Sequence, residues 1–405
     1  MSTCLKLMNK LNCKLLCLLG VITFNSLAQD DQSAESFKIH GFVAQGVIDV
    51  DGSNFVNDED GLSLELTEIG LNTSYKFADD FRFAAQAVYL NGGNRYNEGL
   101  RVDYFLMDWN AYSSDKWQAN LFIGRIKNTH WLHSSTRDIP FARPSILLPQ
   151  GAYFDGFRDI AMGGDGAALK LDYNHDEYGE FDFNFSRGKS TINSDDAEVI
   201  LSDLAQGNIE HDLDSQVSVY WHPVFSQWKF GLTLLDSEFN YDGETRDFFV
   251  DGRFVFQFYT VNALYEGEEW EFTTEILQTR FLTEGFYSPQ FHQDNLGQGG
   301  SFQARYKVDQ KLTLISRYDL FYADKDDKKG YELEKLSFGV VPSYFGYQHD
   351  AMLGFSYDFT HNLRVNAEYH WVEGAARLNP IVLPNPLVNN QERWEMWAVQ
   401  LMYWF

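Results

Sequence analysis

Apolar side chains recur at every second position in segment after segment of this chain. A period of two is the period of an extended strand with one greasy and one hydrated face, not of a helix. Ile69, Leu71, Thr73, Tyr75 and Phe77 alternate with Glu68, Asn72, Ser74 and Lys76. After Ala78-Asp79-Asp80 the chain returns with Phe81, Phe83, Ala85, Ala87 and Tyr89, against Arg82 and Gln86. The same hairpin recurs at 105–123, 167–185, 217–234, 252–276, 302–320 and 353–371. An opening segment at Phe37 to Val50, with mixed alternation, and a closing one at Glu395 to Phe405 bring the count to sixteen strands.

Unpaired backbone groups are not tolerated in hydrocarbon, so an extended chain crosses a bilayer only as a closed sheet. After residue 28 no stretch approaches 18 consecutive apolar residues, which excludes transmembrane helices. Aromatic residues make up 16% of the chain and fall on the alternating face, as a lipid-facing wall requires. The turns inside the hairpins are short. The connections between them, near 51–61, 91–100, 128–165, 190–211, 241–251, 283–298, 324–348 and 375–390, are long. Short turns on one side and long loops on the other, with an even strand number, predict an all-β, 16-stranded antiparallel transmembrane β-barrel. Trp117, Trp228 and Trp270 each open a strand after a short turn, which predicts an aromatic girdle on one rim.

The N-terminus carries Lys6, Lys10 and Lys14, an apolar run from Leu15 to Phe24, and Ser26-Leu27-Ala28. This pattern predicts a signal peptide over 1–28 and a single barrel domain over 29–405. Cys4, Cys13 and Cys17 all fall inside that peptide, so the mature chain has no disulfide. Its loss removes three lysines and leaves 29 basic against 58 acidic residues, a formal charge of about −29. Such a surface does not attract nucleic acid.

One connection departs from the pattern. From Asn128 to Asp165 the chain holds Pro140, Pro144 and Pro149, without sustained alternation. It also contains Trp131, Phe141, Ile146, Leu147, Leu148, Tyr153 and Phe157, too apolar a set to stay solvated. The segment is expected to fold into the lumen and to set the width and charge of a pore.

Strand count, loop asymmetry, the terminal Tyr403-Trp404-Phe405 and the long third loop together resemble the 16-stranded outer-membrane porins of Gram-negative bacteria, over essentially the whole mature chain. Arg137 to Gln150 is also similar to a segment of porin-like proteins related to the phosphate-selective type. The resemblance implies residence in the cell outer membrane and passive diffusion of small hydrophilic solutes or ions. It further implies contact with outer-membrane lipid, a homotrimer, and reading of Phe405 by the barrel-assembly machinery. It implies that basic residues on one wall oppose acidic ones on the loop. The candidate constriction residues are Arg137, Asp138, Arg143, Asp155, Arg158 and Asp159 on the loop, with Lys76, Arg82, Arg305, Arg317 and Arg364 on the wall.

Other arrangements carry little chemistry. His130 and His133 stand three apart with no carboxylate at ligand spacing. Asp324 to Gly330 departs from a calcium loop, because Lys329 stands where glycine is needed. Gly163-Gly164-Asp165-Gly166 leads into a strand rather than a helix N-terminus. Neither a metal, a cofactor nor a catalytic residue is read from the chain. The alternatives to a diffusion pore are a barrel enzyme of the lipid-hydrolase class, which would need an outward Ser and His at usable spacing, and a plugged structural or adhesive barrel.

Overall fold

The structure, a computed structural model, describes residues 36–58, 61–158, 163–193, 197–198, 201–202, 204–380 and 384–405. The expected signal peptide, 1–28, and Asp159 lie outside the described residues. In chain order the strands are β1 (Phe37–Asp51), β2 (Gly61–Ser63), β3 (Thr67–Ala78), β4 (Phe81–Asn91), β5 (Gly99–Ser113) and β6 (Trp117–Lys127). There follow β7 (Gly163–His175), β8 (Gly179–Lys189), β9 (Asn208–His222), β10 (Trp228–Asp242), β11 (Gly252–Glu266) and β12 (Trp270–Gly285). The last five are β13 (His292–Lys307), β14 (Leu312–Tyr322), β15 (Tyr347–Thr360), β16 (Leu363–Gly374) and β17 (Arg393–Trp404).

Each long strand pairs antiparallel with its sequence neighbour, and β1 pairs both with β3 and with β17, so the sheet closes. The three-residue β2 is an extra strip on β1, and the remaining sixteen strands are the staves of one barrel. Backbone hydrogen bonds in both directions between Gly41 and Phe405 complete the seam.

The alternation read from the sequence divides outside from inside. Leu71, Phe105, Val261, Ile276, Phe302 and Leu353 are each about half or more exposed and face outward. Their neighbours on the opposite face, such as Glu68, Thr233, Glu275, Arg317 and Gln400, are buried. Trp117, Trp228 and Trp270 sit at the first residue of β6, β10 and β12, each exposed and each beside a neighbouring-strand tyrosine. The expected girdle is present.

Two expected boundaries differ in particular, and one connection folds a helix. The connection anticipated at 283–298 shrinks to the six residues 286–291, because β12 and β13 run to Gly285 and from His292. Thr283, Asp294, Gly297 and Gly299 break the hydrophobic pattern there, yet their backbone continues the ladder. A short helix, Tyr331–Leu336, forms within the connection after β14, its first turn capped by Asp327. The long segment ends at β7, which begins two residues before the expected Asp165.

The inner face is not uniformly polar. Ile48, Val50, Val372, Trp394, Met396 and Ala398 form an apolar cluster with Phe55, Val56, Ile146, Leu147 and Phe345 from the connections. A second cluster joins Phe239, Tyr241 and Phe254 to Phe249 and Phe286. Close packing of this kind fixes glycines. A Cβ on Gly70 would lie 2.2 Å from the Phe42 ring, so β3 carries no side chain at that point.

The lipid face sets a direct test. Ile276 is 65% exposed in the middle of β12. Ile276→Arg is expected to lower folding stability in lipid by about 2–4 kcal/mol. Thr279→Ser, on the inner face of the same strand, should change it little. Urea titration of barrels refolded into phospholipid vesicles measures both.

Candidate functional site

The segment between β6 and β7 is tied to inward side chains on seven staves. At its start, the His130 carbonyl accepts hydrogen bonds from Tyr220 on β9 and from Thr233 Oγ1 on β10 (2.7 Å). His130 Nε2 shares a hydrogen bond with Ser186 Oγ on β8 (2.8 Å). Further on, Arg143 Nη2 lies 2.9 and 3.0 Å from the two carboxylate oxygens of Glu68 on β3. Glu368 on β16 accepts the backbone N–H groups of Ile146 and Leu147. Arg317 on β14 donates to the Leu147 carbonyl (2.7 Å) and to Ser145 Oγ (3.1 Å), and Asp319 accepts from Gly151 N (3.2 Å). Tyr153 donates to Glu275 on β12 (2.9 Å).

Apolar contacts supplement these bonds. Trp131, Leu148 and Tyr153 pack with Leu235, Phe258, Leu277 and Phe321 of the wall, and Phe141 stacks on Trp404 at 4.9 Å. The prolines explain why the segment offers its polar backbone to side chains. A proline has no N–H to donate, and it biases the preceding residue to extended geometry, which interrupts any ladder.

Within the segment, Arg137 bonds Asp155 Oδ1 (3.0 Å) and the carbonyls of Tyr153 and Phe154, while Arg158 Nε bonds Asp138 (2.9 Å). Burial alone would raise the Asp155 carboxyl, but Arg95, Arg137 and Arg158 together hold it below the ordinary carboxylate value. Asp138 is held low in the same way, with Arg158 as its largest opposing charge and Lys127 and Arg137 adding to it. His130 is pushed down to about 4 by burial. His133 is pushed down to about 4 by burial and then by Arg305 and Arg317. Both imidazoles are therefore neutral at pH 7.

The wall candidates are arranged differently from the expected opposition of basic wall and acidic loop. Arg82 pairs with Asp108 (2.6 Å), Arg305 with Glu271 (2.8 Å) and Arg364 with Asp358 (2.6 Å), each on an adjacent strand. Lys170 pairs with Asp172 two residues along β7 (2.9 Å), and Lys229 on β10 reaches Asp182 on β8, beyond the intervening β9 (3.3 Å). Lys76 is exposed at its end of β3, opposite Arg82 in register. Arg317 touches the segment, but it meets carbonyl and hydroxyl oxygens there, along with Asp350 of the wall (3.5 Å). The ion pair at Arg143–Glu68 has the opposite polarity, with the base on the segment and the acid on the wall.

Two arginines escaped the sequence reading. Arg95, in the connection after β4, reaches Asp155 (3.4 Å) and lies against the Phe55 and Tyr96 rings. Arg377, in the connection after β16, lies 3.5 Å from the Phe321 ring centroid and donates to the Gly151 carbonyl. Arg377 stands alone among apolar and small residues, Gly374-Ala375-Ala376-Arg377-Leu378, which was an available signal; Arg95, set among asparagines, offered none.

Two zones result. Around the end of the barrel marked by the tryptophans, the paired charges stay partly open, with the Arg82, Lys170 and Lys229 side chains 52%, 41% and 37% exposed. At the level of the segment, inward residues such as Ser218, Thr233, Thr260, His370, Gln400 and Glu68 are buried. Among the described residues no group of three or more His, Cys, Asp or Glu is placed to hold a metal.

No protein-family model matches the chain, and no curated protein sequence matches it. Solved structures do. The outer-membrane channel DcaP of Acinetobacter baumannii aligns at a TM-score of 0.57 and 12% identity, covering 94% of this chain and 100% of that one. The anion-selective porin of Comamonas acidovorans aligns at 0.55 and 12% identity over 91% and 99%. A trimer form of OmpT, an outer membrane protein of Vibrio cholerae, aligns at 0.56 and 12% identity over 91% and 99%. The fold is that of outer-membrane porins.

Removing one partner of a buried pair strands the other charge. Arg143→Ala is expected to cost about 3–5 kcal/mol by leaving Glu68 uncompensated, and the double change with Glu68→Gln should cost less than the single one. Equilibrium unfolding in detergent checks both. Neutral His130 and His133 contribute stability above the unfolded histidine value near 6.5, and it is lost as the pH falls from there towards 4. Thermal unfolding midpoints measured across that window should therefore drop, and His130→Gln with His133→Gln should flatten the drop.

Proposed function

We propose that this chain is an outer-membrane channel through which small hydrophilic solutes and ions diffuse passively, with residues 128–158 crossing the lumen at its narrowest level. In this reading residues 1–28 direct export and are removed, and Phe405 is read by the assembly machinery. The barrel sits in outer-membrane lipid as a homotrimer. The observation that carries the reading is the junction of the two zones: an accessible chamber lined by charged side chains ends at a segment bonded to seven staves. A membrane wall with no passage has no need of inward Arg, Lys, Asp and Glu, whose burial is costly unless they meet water or each other. The porin fold shared with channels supports it further.

The charge pattern supports weak rather than strong ion selectivity. Five ion pairs line the chamber, and each base is neutralised by an acid within 3.3 Å. Acidic residues on the outer connections contribute little to the field inside beyond a screening length of about 8 Å.

A second reading, a barrel closed at rest, has one observation in its favour: inward residues at the level of the segment are buried. Planar-bilayer recording in a salt gradient separates the two. The channel reading expects single-channel steps with a reversal potential near zero, and larger steps from Arg143→Ala. Silence from the wild-type protein with steps from Arg143→Ala supports the closed barrel. Silence from both ends the channel reading.

A further inference from the structure

We infer that a cavity at the outer ends of β5 and β6, floored by the lumen-crossing segment, binds a zwitterionic solute the size of one amino acid; this deepens the channel reading and rests on it. The cavity holds about 260 Å³. Residues 97–103 form one side of it, Asp138 and Arg158 of the segment another, and Ser190, Thr191 and Asn193 beyond β8 a third. The volume is below the roughly 300–1,000 Å³ of sites for drug-sized ligands, so it suits a small solute. Glu98, Thr191 and Asn193 are exposed, which opens the cavity on the long-loop side of the barrel, away from the tryptophans.

Register leaves the space. The β5–β6 ladder starts at Phe105 and Arg125, whereas β5 itself begins at Gly99 and is paired there with β4. β6 ends at Lys127, where the chain departs into the segment. Among the described residues no strand therefore runs along the second edge of 99–104. Side chains bridge the gap instead: Lys127 pairs with Asp103, and Arg125 Nη1 reaches the Val102 carbonyl (3.5 Å). Gly163 lets β7 begin tight against β6, since a Cβ there would lie 2.0 Å from the Ile126 carbonyl oxygen.

The chemistry selects the class of ligand. Two bases of the lining share one aromatic support, with the Arg101 and Arg158 guanidiniums 5.8 and 4.6 Å from the Tyr96 ring centroid. Asp103 and Asp138 supply the opposite sign, held together by Lys127, which pairs with the first and lies 3.6 Å from the second. These contacts do not exhaust the groups. A guanidinium carries five N–H donors and a carboxylate about four acceptor sites, whereas Arg158 gives only Nε and Nη2 to Asp138. A simple anion entering the cavity meets Glu98, Asp103 and Asp138, and a simple cation meets Arg101 and Arg158. Like charges brought together repel, so both are disfavoured. A solute with an ammonium beside a carboxylate matches both poles at once. Its docking place includes Asp138 and Arg158, so the segment itself holds the solute ahead of the passage.

The test is isothermal titration of the full chain in detergent with glutamine. N-acetylglutamine, which lacks the ammonium, and glutaminamide, which lacks the carboxylate, serve as controls. The expected result is saturable binding of glutamine, at least tenfold weaker for each control and at least tenfold weaker in Arg101→Gln. Thr191→Tyr, at an exposed lining position that carries no charge, should block the cavity and lose binding to the same degree, which keeps the test decisive where Arg101→Gln fails to fold. Absence of saturable heat from the wild type overturns the site. Either control binding as tightly as glutamine overturns the zwitterion, and wild-type affinity in Thr191→Tyr overturns the cavity as its location. Planar-bilayer conductance is read separately: a protein that conducts without binding glutamine loses this site and keeps the channel reading.

Discussion

Everything in this molecule follows from the cost of leaving a peptide N–H or C=O unpaired in hydrocarbon. A strand has no internal partner for its backbone, so each stave needs two neighbours, and a row of staves satisfies all of them only by curving until the first meets the last. The pairing of β1 with both β3 and β17 is that solution. Once the cylinder exists, the period of two along each strand forces one set of side chains outward and the other inward. The aromatic exterior and the polar interior are thus consequences of closure rather than independent features.

Closure creates a second problem, because a cylinder of this size has an interior that must be hydrated or filled. The end edged by tryptophans is lined by charges that neutralise one another within a strand or between nearby strands. The proline-rich segment packs its own apolar residues against Leu235, Phe258 and Leu277, sets Arg143 against Glu68, and offers the Ile146 and Leu147 N–H groups to Glu368. The buried ion pairs there hold the segment in register with the wall. Their desolvation cost means that they specify position more than they add stability.

The fold was legible because its signal is repeated. Sixteen alternating segments overrule any single ambiguous one, such as the opening strand, whose mixed pattern reflects inward Phe42, Ile48 and Val50 packing in two apolar clusters. The 283–298 connection was misjudged because Asp294, Gly297 and Gly299 lack the side chains that alternation reads, although their backbones pair normally. The segment at 128–165 stood out by composition, but its partners did not. Arg143 meeting Glu68, 75 residues earlier, and Leu147 meeting Glu368, 221 residues later, depend on the curvature of the whole cylinder, which no local pattern encodes. Wall arginines were recognisable as inward by parity alone, while their pairing with the adjacent strand required the register.

The seam between β1 and β17 bears on the order in which the molecule can come into being. Phe42 lies opposite Trp404, so the contact that removes the final pair of open edges joins residues at opposite ends of the described chain. A nascent or truncated polypeptide lacking the last stave would expose the flanks of β1 and β16 to any other extended peptide. Commitment to the ring is consequently a late, all-or-none event, and until it occurs the growing sheet needs a chaperone or a template to cover its two borders.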